Sequence, residues 1–259
     1  LAKSQGPDPV NPDPALVRDN YIWLENQLRM NCSARTLGWI DGLSHELIVG
    51  GLRLDSKSRD SEGYEVVIFD DPASLQRAIR RKAAKAESEL SRLIATYDWK
   101  YKNGEWAPAK QKYWRVKIGD WWLPWNGQHY WLDIRPHLNR RERRKTEALD
   151  WAEQEHSIDE VGSTFTIQGF DLAYAGVILG PSVRYDPDTD RIWFDESKRA
   201  WDKMKGNRTL SDGTSVNVTE AISRHELRVL LTRGTRGLYI YACDDDLRDA
   251  LKNAVYTSE

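Results

Sequence analysis

The sequence predicts an α/β fold in which a sheet is flanked by helices on both faces. Two observations carry it. Short β-branched runs alternate with amphipathic helical stretches, and one run, "LAYAGVIL" within "GSTFTIQGFDLAYAGVILG", is apolar throughout, as a strand buried on both faces must be. With 259 residues, of which 40% are hydrophobic, the chain is large enough to bury such a sheet.

The elements follow in order. "ALVRDNYIWLENQLRM" spaces Leu16, Tyr21, Leu24 and Leu28 as one helical face. "SARTLGWIDGLSHEL" reads as a helix with Ser33 as its N-cap. "YEVVIFDD" is a strand. It leads into "PASLQRAIRRKAAKAESELSRLIATY", where Pro72 suits the first helical position and the Ala, Leu, Lys and Glu content predicts one long helix.

The middle of the chain differs in composition. The segment from Tyr97 to Ile134 holds most of the chain's twelve Trp, with a turn expected at Asn103-Gly104 and a strand through "YWRVKIG". It reads as a Trp-rich excursion from the main sheet at about residues 98–140. Its rings fit either a β-rich core or, interleaved with Lys and Arg, a platform for stacking bases. "LNRRERRKTEAL" fits a solvated helix face or a phosphate-contacting patch.

Beyond it, "GSTFTIQGFDLAYAGVILG" gives a strand, a polar loop and the apolar strand. "VRYDPDTDRIWFD" is a hairpin with Asp186-Pro187-Asp188 as turn chemistry. "SVNVTEAISRHELRVLLTRG" predicts a helix from about Val218 with Thr219 as N-cap, "RGLYIYAC" a strand, and "DDDLRDALKNAV" a helix with acids in its first turn.

Composition limits the function classes. A net charge of −2 gives no global basic footprint, so a nucleic-acid partner needs a local patch. Two cysteines far apart make no metal-ligand pair and fit a reducing, cytoplasmic setting. No run reaches the roughly 18 apolar residues of a membrane span, so no membrane partner is expected. His45, His129, His137, His156 and His225 lack ligand spacing, and no metal site is expected. The first residue is Leu1, and the "GPDPVNPDP" entry reads as a linker, over residues 1–13, from something longer.

Arg233 stands out. In "HELRVLLTRGTRGLYIY" it ends an apolar helix at the mouth of a glycine turn, where packing fixes a planar cation suited to phosphate oxygens or to a carboxylate of its own domain. "FTIQGFDLAYAGVILG" joins a Gln-Gly turn to an acid, and "WLENQLRMN" places Gln27 and Arg29 at a helix end. These stretches, in this order, resemble motifs IV, V and VI of the second RecA-like domain of superfamily 1 helicases. Together with "IFDDPASL" and "LPWN" they make nearly the whole chain similar to the Schlafen group 3-like DNA/RNA helicase domain family.

The resemblance implies a RecA-like, P-loop-NTPase-type parallel sheet over residues 14–259. Arg29, in "QLR" with Gln27, takes the place of the arginine that reaches a γ-phosphate. Gln168, Gly169 and Asp171 take the places of the motif V turn and its acid near the ribose. Arg233 takes the place of the arginine finger on the transferred phosphoryl group. The chain departs from the better-known branches in carrying Phe165 and Thr166 where they have His or Lys, and Asp171 where they have Glu.

No G-x-x-x-x-G-K-S/T phosphate loop occurs, and "MKGNRT" lacks the spacing. Without one, "VVIFDD" is an ordinary strand whose Asp70 and Asp71 precede a helix, rather than a magnesium site. The resemblance then implies half of a motor. ATP and Mg2+ are bound mainly by a missing N-terminal P-loop domain of the same protein, the partner is single-stranded DNA or RNA, and these residues alone hydrolyse nothing. The alternative is a non-catalytic nucleic-acid-binding module using the Trp-rich and Arg/Lys-rich segments. A metal-dependent nuclease built on "IFDD" and "YDPDTD" is the third reading, though turn chemistry accounts for the second cluster.

Overall fold

The computed structural model describes residues 29–85, 90–102, 105, 107–108, 112–127, 137–200 and 206–257. The helix expected from Pro14, most of the "QLR" stretch and the Asn103-Gly104 turn lie outside the described residues.

The Ser33 hydroxyl accepts the Thr36 N–H and opens α1 (Ala34–Asp41), which runs into a π-helical turn at Gly42–Glu46. β1 (Leu52–Leu54) and β2 (Glu65–Ile68) follow. Asp71 caps α2 (Pro72–Lys85), accepting the Ser74 N–H at 2.7 Å, and Pro72 is its first residue as expected. Asp71 thereby serves as the helix cap.

α2 is shorter than the sequence predicts. Ser91–Ala95, expected inside the long helix, is β3, and every residue of it is buried. Its Leu, Ile and Ala suit either state, and burial between neighbouring strands overrides helix propensity.

β4 (Arg115–Ile118) and β5 (Trp121–Pro124) form an antiparallel hairpin. α3 (Arg140–Glu147) is closed by a full capping box between Asn139 and Glu142, and none of its residues is buried. The charge run is therefore exposed, as either reading of it requires. After two 3-10 turns come β6 (Val161–Gly162) and β7 (Leu172–Leu179), the apolar strand, then the hairpin β8 (Val183–Asp186) and β9 (Arg191–Phe194). In its turn Asp186 accepts the Asp188 N–H and the Thr189 hydroxyl, the turn chemistry expected of "YDPDTD".

β10 (Asn207–Thr209) pairs with β11 (Ser215–Asn217). α4 (Thr219–Leu231) begins one residue after its N-cap, Val218. Thr219 is thus the first helical residue rather than the cap, and Asn217 Oδ1 accepts its N–H at 2.9 Å. β12 (Gly234–Ala242) leads through Asp244, an N-cap that accepts the Leu247 N–H, into α5 (Asp245–Ala254) and β13 (Val255–Thr257).

β2, β12, β7, β3 and β6, in that order, make a five-stranded sheet in which every pairing is parallel. Its two faces alternate along the strands. Leu238, Ile240 and Ala242 point into a core shared with Ile40, Leu227, Leu230, Leu247 and Leu251 of α1, α4 and α5. Tyr239 and Tyr241 point the other way, onto Leu75, Ala78 and Ile79 of α2. Helices thus cover both faces. The chain leaves the sheet after β3 and returns at β6, a longer excursion than the sequence suggests because the charged helix and the 3-10 turns belong to it. Trp114 and Trp125 are buried in the second core, whereas Trp122 is 40% exposed.

Candidate functional site: an arginine pair at the sheet edge

β7 and β12 start side by side, Leu172 opposite Gly234. This edge collects the residues singled out from the sequence. Arg233 is the last residue before β12. Its backbone carbonyl accepts the Leu172 N–H at 2.9 Å, and its guanidinium Nη1 donates to the Phe170 carbonyl at 3.2 Å. Both ends of the residue are therefore tied to the segment that enters β7.

Glycine makes room for this arrangement. A Cβ at Gly234 would lie 2.1 Å from the Gly237 carbonyl oxygen, and one at Gly237 would lie 2.6 Å from the Tyr174 ring. The pairing of β12 with β7 shifts between these two glycines, so the strand is irregular where it leaves Arg233. The Tyr64 hydroxyl donates to the Gly234 carbonyl at 3.2 Å and holds the irregularity from β2's side.

Arg29 arrives from the other end of the sequence. The Asn31 N–H donates to the Thr235 carbonyl at 2.8 Å and pins this segment beside β12. Arg29 Nε then lies 2.7 Å from Asp171 Oδ1. Of the residues predicted from sequence, Arg29, Asp171 and Arg233 come together. Gln168 and Gly169 lie exposed in the preceding turn, where Gly169 takes a left-handed φ of 84°. Gln27 lies outside the described residues.

The electrostatics set the two arginines apart. Arg29 and Asp171 are both substantially exposed. Arg233 is 9% exposed, and its Nε is buried with no hydrogen-bond partner among the described residues. Burial, and then the positive charge of Arg29, depress the Arg233 pKa, while Asp171 works against the shift. Of the two environments the sequence left open, a carboxylate of its own domain is not what Arg233 takes among the described residues. It holds a carbonyl and keeps donor capacity unused.

The segment between β6 and β7, residues 163–171, crosses beneath β3 from one edge of the sheet to the other. Ile167 buries fully in the first core and anchors it. At its far end Phe165 meets the Tyr97 ring edge-on at 5.6 Å. At its near end Asp171 pairs with Arg29. Nothing in sequence spacing announces the Tyr97–Phe165 contact, because it joins an excursion to a loop far along the chain.

With this geometry in place the chain can be compared with known proteins. The model of the Schlafen group 3, DNA/RNA helicase domain matches residues 12–244. The chain belongs to this family. An uncharacterized protein of Saccharomyces cerevisiae is 33% identical to this Schlafen group 3 chain over 255 residues, covering 94% of the chain and 50% of the yeast protein. The chain thus spans about half the length of the curated relative it matches. No solved structure matches it at a significant level. Among the described residues, no helix of this helicase-family domain is long and apolar enough to cross a membrane.

Proposed function

We propose that this chain is the second RecA-like domain of a nucleic-acid-stimulated ATPase of superfamily 1 helicase type, presenting Arg233 and Arg29 to ATP and Mg2+ held mainly by an N-terminal P-loop domain of the same protein. The observation that carries the reading is the buried Arg233, whose Nε lacks a partner among the described residues and lies near a second arginine. A second cation beside the unpartnered Arg233 Nε fits a polyphosphate, whose oxygens accept at several points.

The place of the pair in the fold supports supply to a neighbour. An open parallel sheet holds its own ligand at the carboxyl ends of its strands. Arg233 and Asp171 lie at the opposite edge, where β12 and β7 begin. Arg29 is exposed there with Arg233 buried nearby, and the chain carries no phosphate loop of its own. A nucleoside triphosphate bound against this edge would pass its γ-phosphoryl group to a water held by the P-loop domain, with the nucleoside diphosphate as leaving group. Arg233 neutralises charge on the equatorial oxygens as the bond to the leaving oxygen breaks, with its carbonyl clamp on Phe170 limiting the reorganisation required. Arg29 exchanges Asp171 for a phosphate oxygen, which leaves Asp171 free to accept from a ribose hydroxyl. The domain spans about half of its yeast relative, which leaves room for another domain in a protein of that length. Single-stranded DNA or RNA is the partner on which closure acts.

The test is ATP hydrolysis by the longer protein containing this domain, with and without single-stranded nucleic acid, for wild type, Arg233→Ala and Arg29→Ala. An arginine finger is worth roughly 10³ to 10⁵ in turnover, so loss of at least about a hundredfold in Arg233→Ala is expected. Normal turnover in that variant, with the fold intact, removes the assignment. The second reading, a non-catalytic nucleic-acid-binding module, draws on the exposed rings and lysines of the excursion, and wild type without hydrolysis but with tight strand binding would favour it.

A further inference from the structure

The Trp-rich excursion builds two recesses on the far edge of the sheet from Arg233. The first, about 610 Å³, lies between Tyr97, Tyr101, Asn126, Phe165 and Thr166, with Lys102 and Glu105, an ion pair at 3.2 Å, also lining it. Its size falls within the ~300–1,000 Å³ of small-molecule sites. Phe165 is 50% exposed, an unusual state for the residue type in a loop whose neighbour Ile167 is fully buried. The second, about 510 Å³, is lined by Trp99, Trp114, Lys100, Arg115 and Lys117, with no carboxylate among its described lining residues.

A chain of rings joins the two recesses. Phe165 meets Tyr97 at 5.6 Å, Tyr97 meets Trp125 at 5.5 Å, and Trp125 meets Trp99 at 6.2 Å. The walls are fixed rather than adaptable. Trp99 Nε1 donates to the Lys117 carbonyl at 3.2 Å, and Trp114 Nε1 to the Glu105 carbonyl at 3.0 Å. The Tyr97 N–H donates to Glu226 Oε1 at 2.8 Å, and Glu226 is held in turn by the buried Arg199.

We infer that the excursion is a single-strand clamp, in which a base stacks in the Phe165–Tyr101 recess while the adjoining phosphates lie on Lys100 and Lys117. This rests on nucleic acid being the domain's partner, and is independent of the arginine roles. The chemistry selects the occupant. Every base has a π-face that an exposed aromatic ring can use, and the phosphate spacing of a strand suits cations beside the rings. A carboxylate-rich peptide would use the lysines and gain nothing from Phe165. Paired bases in a duplex are stacked on their neighbours and offer no free face to a ring.

The experiment measures binding of labelled oligothymidylate and oligouridylate by this chain, over a salt series, for wild type, Phe165→Ala, Phe165→Leu and the double variant Lys100→Glu/Lys117→Glu. Base stacking on an aromatic side chain predicts roughly 5- to 100-fold weaker binding for both Phe165 variants, Leu keeping the apolar bulk without the ring. The lysine pair predicts a salt slope lower by about 1.4, from ~0.7 per phosphate on single strands. Wild-type affinity in both Phe165 variants overturns the clamp. So does binding lost only on Arg141→Glu/Arg144→Glu in α3, or competition by polyglutamate equal to that by the oligonucleotide. Strand binding by this chain with no hydrolysis by the longer protein sinks the motor reading alone, and hydrolysis by the longer protein with unchanged binding in the Phe165 variants sinks the clamp alone.

Discussion

Arg29 Nε sits 2.7 Å from Asp171 Oδ1, which closes a contact between the start of the described chain and the entry to β7. Both side chains are well exposed, so solvent screens the pair and its worth lies in placement rather than in stability. The same Asp171 lowers the electrostatic cost of keeping Arg233 charged nearby. One carboxylate thus steadies two cations that would otherwise repel each other across the sheet edge.

Asp171→Asn should therefore leave the fold nearly untouched. Urea unfolding is expected to show a change within about 1 kcal/mol, the range for exposed ion pairs. A loss above about 2 kcal/mol would mean that the pair is structural, and would remove the case for Arg29 exchanging Asp171 for another anion.

Gly234→Ala should do the reverse. Its Cβ meets backbone, the Gly237 carbonyl oxygen at 2.1 Å, and backbone cannot rotate away as a side-chain tip can. Overpacking of this kind costs about 1–3 kcal/mol. Gly38, inside α1 with nothing within 4 Å of its Cβ position, is the comparison. Gly38→Ala should gain about 0.5–1 kcal/mol. Equal effects of the two substitutions in denaturant melts would refute the packing account.

Much of the fold was legible because caps and periodicity are local. Ser33, Pro72 and the acids of "DDDLRDAL" mark helix starts by chemistry that acts within one turn. β3 was not legible, because "SRLIA" follows Ala- and Lys-rich helix without punctuation and only the sheet around it decides its state. Thr219 reads as a cap until Asn217 takes that task. At the site, Arg233 could be picked out as a fixed cation, but its meeting with Arg29 and Asp171 came from motif resemblance and not from spacing. The Tyr97–Phe165 recess had no sequence signal at all. Aromatic enrichment marked the excursion, and the partner ring came from the loop before β7.

Glu160 predicts a pH dependence. It is fully buried, Trp151 Nε1 donates to Oε2 at 2.8 Å, and His156 Nε2 lies 3.5 Å from Oε1. Desolvation pushes its pKa up to about 8, with Asp159 adding to the shift and Arg92 opposing it. Between the unfolded value and about 8 the folded state keeps a proton that the unfolded chain has lost. Stability conferred by the neutral acid is complete below the unfolded pKa and falls as pH rises through this window, by at most about 1.4 kcal/mol per unit. Glu160→Gln keeps an acceptor for Trp151 and should flatten that slope. Urea melts from acid to mildly alkaline pH decide it, and an identical slope in the variant would place the titration elsewhere.

Arg233→Met carries the sharpest contrast between fold and function. A buried cation pays desolvation, and this one has an unpartnered Nε and a like charge nearby, so removing it lifts two unfavourable terms. The loss is one hydrogen bond to the Phe170 carbonyl, about 1 kcal/mol, plus whatever stem packing Met fails to restore. Stability should therefore hold within about 1 kcal/mol or rise. Leu230→Ala, at a fully buried position one turn earlier on α4, should by comparison lose about 2–5 kcal/mol. If Arg233→Met instead destabilises as much as Leu230→Ala, the arginine is a structural strut and its position before β12 needs no ligand. If it is neutral or stabilising while hydrolysis by the longer protein falls, the cation is kept at a cost to the fold, as expected of a residue held for phosphate chemistry.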